Sequence, residues 1–334
     1  MTRVIDMHAH AIVPELLRDA APGEAWRPRV WREGERQAFE VGGHEVRSAV
    51  REWTELERIL ADQDRAGTEV VVLSPLVLLL GYDAEPAEAR RRARIQNEGL
   101  ARMVRDGGGR VAALGTVPLQ EPRLAADELR ELMAEGMLAG VEVAASVGGR
   151  FLGDDAFAPF WAAAEETGAL VFVHPTTRGF DAQAFGEHYL WNTVGNPLET
   201  TVAAAHLVMT GTLERHPGLK VLLAHGGGAI LALRGRLRHA HSFQPQARSR
   251  LRESPEASLR RLYYDTVVHH PAVLRELVAT VGADRVVLGS DHPFDMGDLR
   301  PAESVRAAGL DAAEEDAVLG GTAARLLGLE VAAG

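Results

Sequence analysis

Two histidines separated by one alanine, His8 and His10 in the stretch VIDMHAH (residues 4–10), stand near the end of a short apolar run. Side chains at i and i+2 of an extended strand point the same way, so both imidazoles leave the strand end together. Three further strand-like runs end on comparable groups: LVFVH on His174, VLLAH on His225 and VLGSD on Asp291. Five nitrogen or oxygen donors at matching ends of four parallel strands can converge on one cation. A single histidine is more often an ordinary hydrogen-bonded residue than a ligand, but repetition at equivalent positions argues against coincidence. The chain has no cysteine, so disulfides and thiolate ligands are excluded. Imidazole with carboxylate suits one Zn²⁺ first, with Mn²⁺, Fe²⁺ or Co²⁺ also admissible.

Such a site needs strands that end at one level. Apolar runs at 3–8, 69–74, 111–117, 139–145, 169–174, 220–225, 262–268 and 285–291 alternate with amphipathic stretches at 54–66, 84–105, 121–135, 155–167, 198–215, 228–242, 271–281 and 302–309, and a last one at 312–327. Strands that each lead into a helix predict an α/β fold, a (β/α)₈ TIM barrel formed by residues 1–334 as one domain. No Gly-x-Gly-x-x-Gly follows the first strand, which argues against an open dinucleotide-binding sheet. Two segments interrupt the alternation, 11–52 and 176–197. Each follows a strand, so each is expected over the C-terminal mouth, the first as a lid or substrate loop and the second as an active-site loop.

The formal charge of −11 over 334 residues argues against a sequence-independent nucleic-acid surface. No apolar run approaches the roughly 18 residues of a membrane span, and no signal-peptide pattern opens the chain, so the expected location is the cytoplasm. Lys220 is the sole lysine and begins a strand candidate, poorly placed for Schiff-base chemistry or for a site at the strand ends. His206, His216, His239 and His241 fall on or beside helices and His44 and His188 in the inserted segments, all read as structural, while His269 and His270 could face the mouth.

The set DMHAH, VHP, HGGG and GSDHPF resembles the amidohydrolase superfamily over essentially the whole chain, and within it the branch of aminocarboxymuconate semialdehyde decarboxylase and related metal-dependent decarboxylases. The resemblance implies that His8, His10, His174 and Asp291 hold one metal with a water, and that His225 beside them acts as acid–base group, with Asp291 also catalytic. Binuclear members use a carboxylated lysine ending strand four; AGVEVAAS has none, so one metal is expected. The resemblance also implies that Arg47 and Arg236 bind an anionic small-molecule substrate, Arg236 from across a homodimer interface, and that Trp191 and Phe294 wall it. His292 stands where the branch's semialdehyde decarboxylases carry tyrosine, a departure that bears on the substrate. The implied reaction is non-oxidative decarboxylation of a small unsaturated or aromatic acid. The same site could instead hydrolyse an amide, lactone or ester, and an inert binder on this barrel would require a missing ligand, which is not the case.

Overall fold

The structure is a computed structural model that describes residues 3–17, 27–33, 36–41, 44–47, 50–176, 180 and 182–329. Its eight barrel strands are β1 (Ile5–Ala11), β2 (Val70–Pro75), β3 (Val111–Ala113), β4 (Gly140–Ala144), β5 (Leu170–His174), β6 (Lys220–Leu223), β7 (Tyr263–Asp265) and β8 (Val286–Val287). They form two parallel sheets, β1-β2-β3 and β4-β5-β6-β7-β8 in spatial order. Backbone bonds close both seams. Gly115 donates to Gly140 at 2.9 Å and accepts from Glu142 at 2.8 Å, joining β3 to β4. At the other seam Met7 donates to Leu288 at 2.8 Å, Asp291 to the His8 carbonyl at 2.7 Å and His10 to the His292 carbonyl at 2.7 Å.

Strands covered on both faces read as continuous β-branched runs, and β2 and β5 are buried at every residue. Their alternation sorts two apolar layers. Ile5, Met7, Val70, Val72, Phe172, Leu222 and Val287 fill the barrel interior. Val71, Leu73, Val141, Val171 and Val221 face the surrounding helices. Those helices start and stop where local chemistry requires: Pro122–Glu135 begins on proline, whose fixed φ suits the first turn, and ends at Gly136 with φ 68°.

β1 departs from plain alternation. Its register against β2 slips by one residue between Asp6 and Ala9, a bulge. Below it Ile5 and Met7 face inward; above it Ala9 and Ala11 join the outer layer and His8 and His10 face the axis. The extra residue re-aims both imidazoles into the mouth, a known use of bulges beside active sites.

Several expected boundaries shift. β1 extends through Ala11, placing His10 inside the strand. The ladder of β8 covers only Val286–Val287, and residues 288–292 follow β1 through the single bonds above. The 198–215 helix is two, Asn196–Met209 and Thr212–Arg215, because Gly211 takes a left-handed φ of 71°. The segment between β1 and β2 holds an antiparallel sheet, Arg29–Glu33, Arg36–Val41 and His44–Arg47, followed by the helical turn Val50–Thr54. Among the described residues no helix is long and apolar enough to cross a membrane.

The β4–β5 pairing has no room for a side chain at Gly140, where a Cβ would lie 1.9 Å from the Leu170 carbonyl oxygen. Gly140→Ala is expected to destabilise the fold by at least about 1–3 kcal/mol, since ladder backbone must move. Urea unfolding should show a lowered midpoint at unchanged slope.

Candidate metal centre

Three donor atoms form a tight triangle at the mouth. His8 Nε2 lies 3.1 Å from His10 Nε2 and 3.1 Å from Asp291 Oδ1, and His10 Nε2 lies 3.3 Å from the same oxygen. Nitrogen and oxygen ligands about 2.0–2.1 Å from one tetrahedral ion stand about 3.3–3.4 Å apart, close to this spacing. His8, His174, His225 and Asp291 each offer one ligand atom, and these atoms all lie within 4.8 Å of one another. His174 Nε2 and Asp291 Oδ1 are buried with no hydrogen-bond partner. Buried polar atoms are rarely left so, and a divalent cation would satisfy both. The donor set therefore fits one ion.

The far nitrogens are tied back. His8 Nδ1 meets Asp265 Oδ2 at 2.5 Å, His10 Nδ1 meets the Pro75 carbonyl at 3.1 Å, and His174 Nδ1 meets the Pro175 carbonyl at 2.9 Å. Each acceptor fixes its ring with the proton on Nδ1, leaving Nε2 to the ion. Glu142 on β4 is fully buried, lies 3.5 Å from His10 Nδ1, and leaves both carboxylate oxygens without a hydrogen-bond partner. Below the site Asp6 ties β1 to the β8 continuation, accepting from Ser290 Oγ at 2.5 Å, Ser290 N at 3.0 Å and Gln63 Nε2 at 3.1 Å. Burial raises its carboxyl to about 6 against those bonds.

Electrostatics follow from the crowding. Burial opposes charge on His8, but the carboxylates of Asp291 and Asp265 outweigh it and lift the imidazole to about 10. His10 rises to about 9 because Glu142 and Asp291 likewise overcome burial. His174 is driven well below its ordinary value by burial and by the neighbouring imidazoles. Asp291 is held well below the carboxylate range, the imidazoles outweighing its burial. The site thus favours a carboxylate ringed by cations, which a bound ion would replace as the positive charge.

His225 presents its ring from a turn of left-handed residues, with φ 56° at His225 itself and 60° at Gly226. Its Nε2 lies 3.4 Å from Asp291 Oδ2, while its Nδ1 is buried without a partner. Phe294 packs edge-on to the His10 ring with centroids 5.2 Å apart and is backed by Trp53 at 4.9 Å. The other expected residues lie elsewhere. His292 stands 3.9 Å from Asp62 and lines a second cleft with Arg58, Arg65 and Arg300; burial and nearby cations lower it to about 4. Trp191 packs on Tyr189, whose hydroxyl donates to Asp295 and so joins the loop after β5 to the loop after β8. Arg236 is exposed on the helix Arg234–Phe243. Arg47 ends the third strand of the small sheet, and its side chain lies outside the described residues. His269 and His270 are exposed, and His270 caps the helix Pro271–Val281 by accepting from Ala272 N.

Beside the cluster, past Ala144 and Thr176, opens a cleft of about 500 Å³ lined by Leu78, Leu80, Tyr82, Phe151 and Phe180. Glu199 braces it by accepting from Thr176 N at 2.5 Å, Thr176 Oγ1 at 2.6 Å and Phe180 N at 3.2 Å. Sequence reasoning missed Asp265, Glu142 and Glu199. The available signal was an acid inside an apolar run, as in LYYDTVV and GVEVAA, because a buried charge requires a partner.

Without metal, His8 and His10 keep their protons until pH approaches about 10 and 9, while a bound ion needs both Nε2 lone pairs. Metal affinity is expected to rise with pH through the neutral range, with about two protons released per ion at pH 7. Calorimetry in buffers of different ionisation enthalpy reads that number directly; release near zero would contradict the ligand assignment.

The amidohydrolase family model matches residues 5–329. The chain is 31% identical over 274 residues to the 2-amino-3-carboxymuconate-6-semialdehyde decarboxylase of Dictyostelium discoideum, covering 81% of this chain and 76% of that one. It is 26% identical over 310 residues to the gamma-resorcylate decarboxylase of Rhodococcus jostii, covering 87% and 88%. The crystal structure of a dihydroxybenzoic acid decarboxylase from Polaromonas sp. JS666, with bound manganese and 2-nitroresorcinol, superposes with a TM-score of 0.81 at 21% identity over 98% of this chain and 97% of that one. With its barrel, its strand-end donors and a match along nearly its whole length, the chain belongs to the amidohydrolase family.

Proposed function

We infer that the chain is a metal-dependent, non-oxidative carboxy-lyase that releases CO₂ from a small unsaturated or aromatic carboxylic acid. The observation that carries this reading is the convergence of His8, His10, His174 and Asp291 beside a cleft large enough for one ring, lined by apolar side chains together with Asp83 and Glu199, in a chain whose relatives are decarboxylases. A divalent ion held by these four groups would supply the positive charge against which the substrate carboxylate is held and charge develops. Zinc suits the donors, and the manganese in the Polaromonas relative makes that ion an equal candidate.

The chain's own groups cover the remaining requirements. When the bond to the carboxyl carbon breaks and CO₂ leaves, the carbon left behind must take a proton. His225 stands beside Asp291 with an unpartnered nitrogen and is the group we assign to carry it. Leu78, Leu80 and Phe151 would keep water from a planar substrate in the cleft, while Phe294 packs against the His10 ring from the side of the second cleft. Arg47, Trp191 and His292 remain candidates for the substrate's distal groups. For Arg236 the supporting observation is its helix: Arg234–Phe243 buries none of its residues and exposes Phe243, which suits a homodimer in which Arg236 reaches a second copy's mouth.

Metal-loaded protein offered freshly generated 2-amino-3-carboxymuconate semialdehyde and a panel of hydroxybenzoates is expected to evolve CO₂ from one of them. His225→Ala should lower kcat by about 10²–10⁴-fold while retaining metal, the range for a lost proton-transfer group; loss of the metal in this variant would make His225 a ligand instead. Absence of CO₂ across the panel from protein with one ion per chain would return the reaction to hydrolysis. Arg236→Ala is expected to raise KM at least tenfold without altering metal content, with light scattering reporting whether the dimer persists.

A further inference from the structure

One buried carboxylate touches both halves of the site. Asp265, at the end of β7 and fully buried, takes four N–H donors. Its Oδ2 accepts from His8 Nδ1 at 2.5 Å and from the His225 backbone at 2.9 Å; its Oδ1 accepts from the Gly226 backbone at 2.8 Å and from Val267 at 3.1 Å. An ionised carboxylate can only accept. A ring nitrogen held against it at this distance must carry a proton, so an ion that displaces the other proton, the one on the Nε2 facing Asp291 and His10, leaves His8 as the Nδ1–H tautomer with its Nε2 lone pair free to bind.

The same carboxylate governs the turn after β6. His225 is a non-glycine residue at φ 56° followed by three glycines of positive φ, and a left-handed backbone crowds the Cβ of an L-residue against the following carbonyl oxygen. Successive amides of His225 and Gly226 close on the Asp265 oxygens and hold that conformation, which is what brings the imidazole beside Asp291.

We propose that Asp265 is the positioning residue that couples the metal ligand of β1 to the proton-carrying group of β6: it sets the His8 tautomer through one bond and the His225 turn through two. The tautomer and metal arms of this inference rest on the ligand assignment and do not depend on the decarboxylase reading; only its kinetic arm does.

Asp265→Asn is nearly isosteric but replaces one accepting oxygen by a donating amide. With the amide toward His8, the ring must turn its lone pair to Nδ1 and carry its proton on Nε2, where the ion binds. With the amide reversed, it faces the Gly226 and Val267 N–H groups and the turn loosens. The expected result for Asp265→Asn is a Zn²⁺ or Mn²⁺ affinity lowered about 10–100-fold, together with a change in the ¹⁵N pattern of His8 from the Nδ1–H to the Nε2–H form or a loss of protection at the Gly226 amide. On the CO₂ assay kcat should fall more than KM changes. Metal affinity and His8 tautomer both equal to the unsubstituted protein would overturn the proposal. Should the variant fail to fold, the unsubstituted zinc-loaded protein still decides: a His8 ring whose ¹⁵N spectrum lacks an Nδ1 proton removes the basis for the coupling, and one that carries it at low field sustains it. Absent CO₂ release with the expected metal and tautomer changes would count against the reaction class alone.

Discussion

Everything at the mouth depends on the seam between the first and last barrel strands. The His8 carbonyl takes the amides of Asp291 and Ser290 while the His8 ring points toward the Asp291 side chain, so one residue both closes the barrel and offers a ligand. Asp6, two residues below, ties the same strands through Ser290 and reaches Gln63 on the first helix of the barrel. A ligand triangle with sides near 3 Å tolerates little slack, and a closed ring of backbone bonds supplies the necessary stiffness.

Each strand-borne imidazole in this centre has an acceptor behind it, and the acceptors differ in kind. His8 has a carboxylate, His174 and His10 have backbone carbonyls, and His10 has Glu142 nearby as well. A carboxylate raises the basicity of its ring more than a carbonyl does, so His8 is the strongest donor of the three. The buried acids also explain how so many imidazoles can share a small volume: without Asp265, Asp291 and Glu142 the rings would repel any protonated neighbour, as His174 already registers.

Much of this was legible in the residues. Strand-end placement of His8, His10, His174, His225 and Asp291 followed from where apolar runs stop, and eight such runs alternating with helices indicated a barrel. The bulge in β1 was not legible, because alternation in IDMHAH continues through it unbroken and only pairing with β2 reveals the extra residue. Asp265 escaped notice because its partners lie in other elements: the His8 ring is 257 positions away in sequence. The small antiparallel sheet was missed for a different reason. RVWRE and RQAFEV do not alternate cleanly, and they are short and rich in arginine and glutamate, a composition equally at home in a loop.

Closure between strands so distant in the chain also fixes when the centre can exist. His8 and His10 are made long before Asp291, so a growing chain holds fragments of the donor set before it can hold the triangle. In a small finger domain, neighbouring ligands let the ion act as a template for folding. Here the distant strands must pair before the ion has a complete seat, and such long-range pairings are slow to form. A complete seat for an ion therefore follows the pairing of these strands and cannot template it.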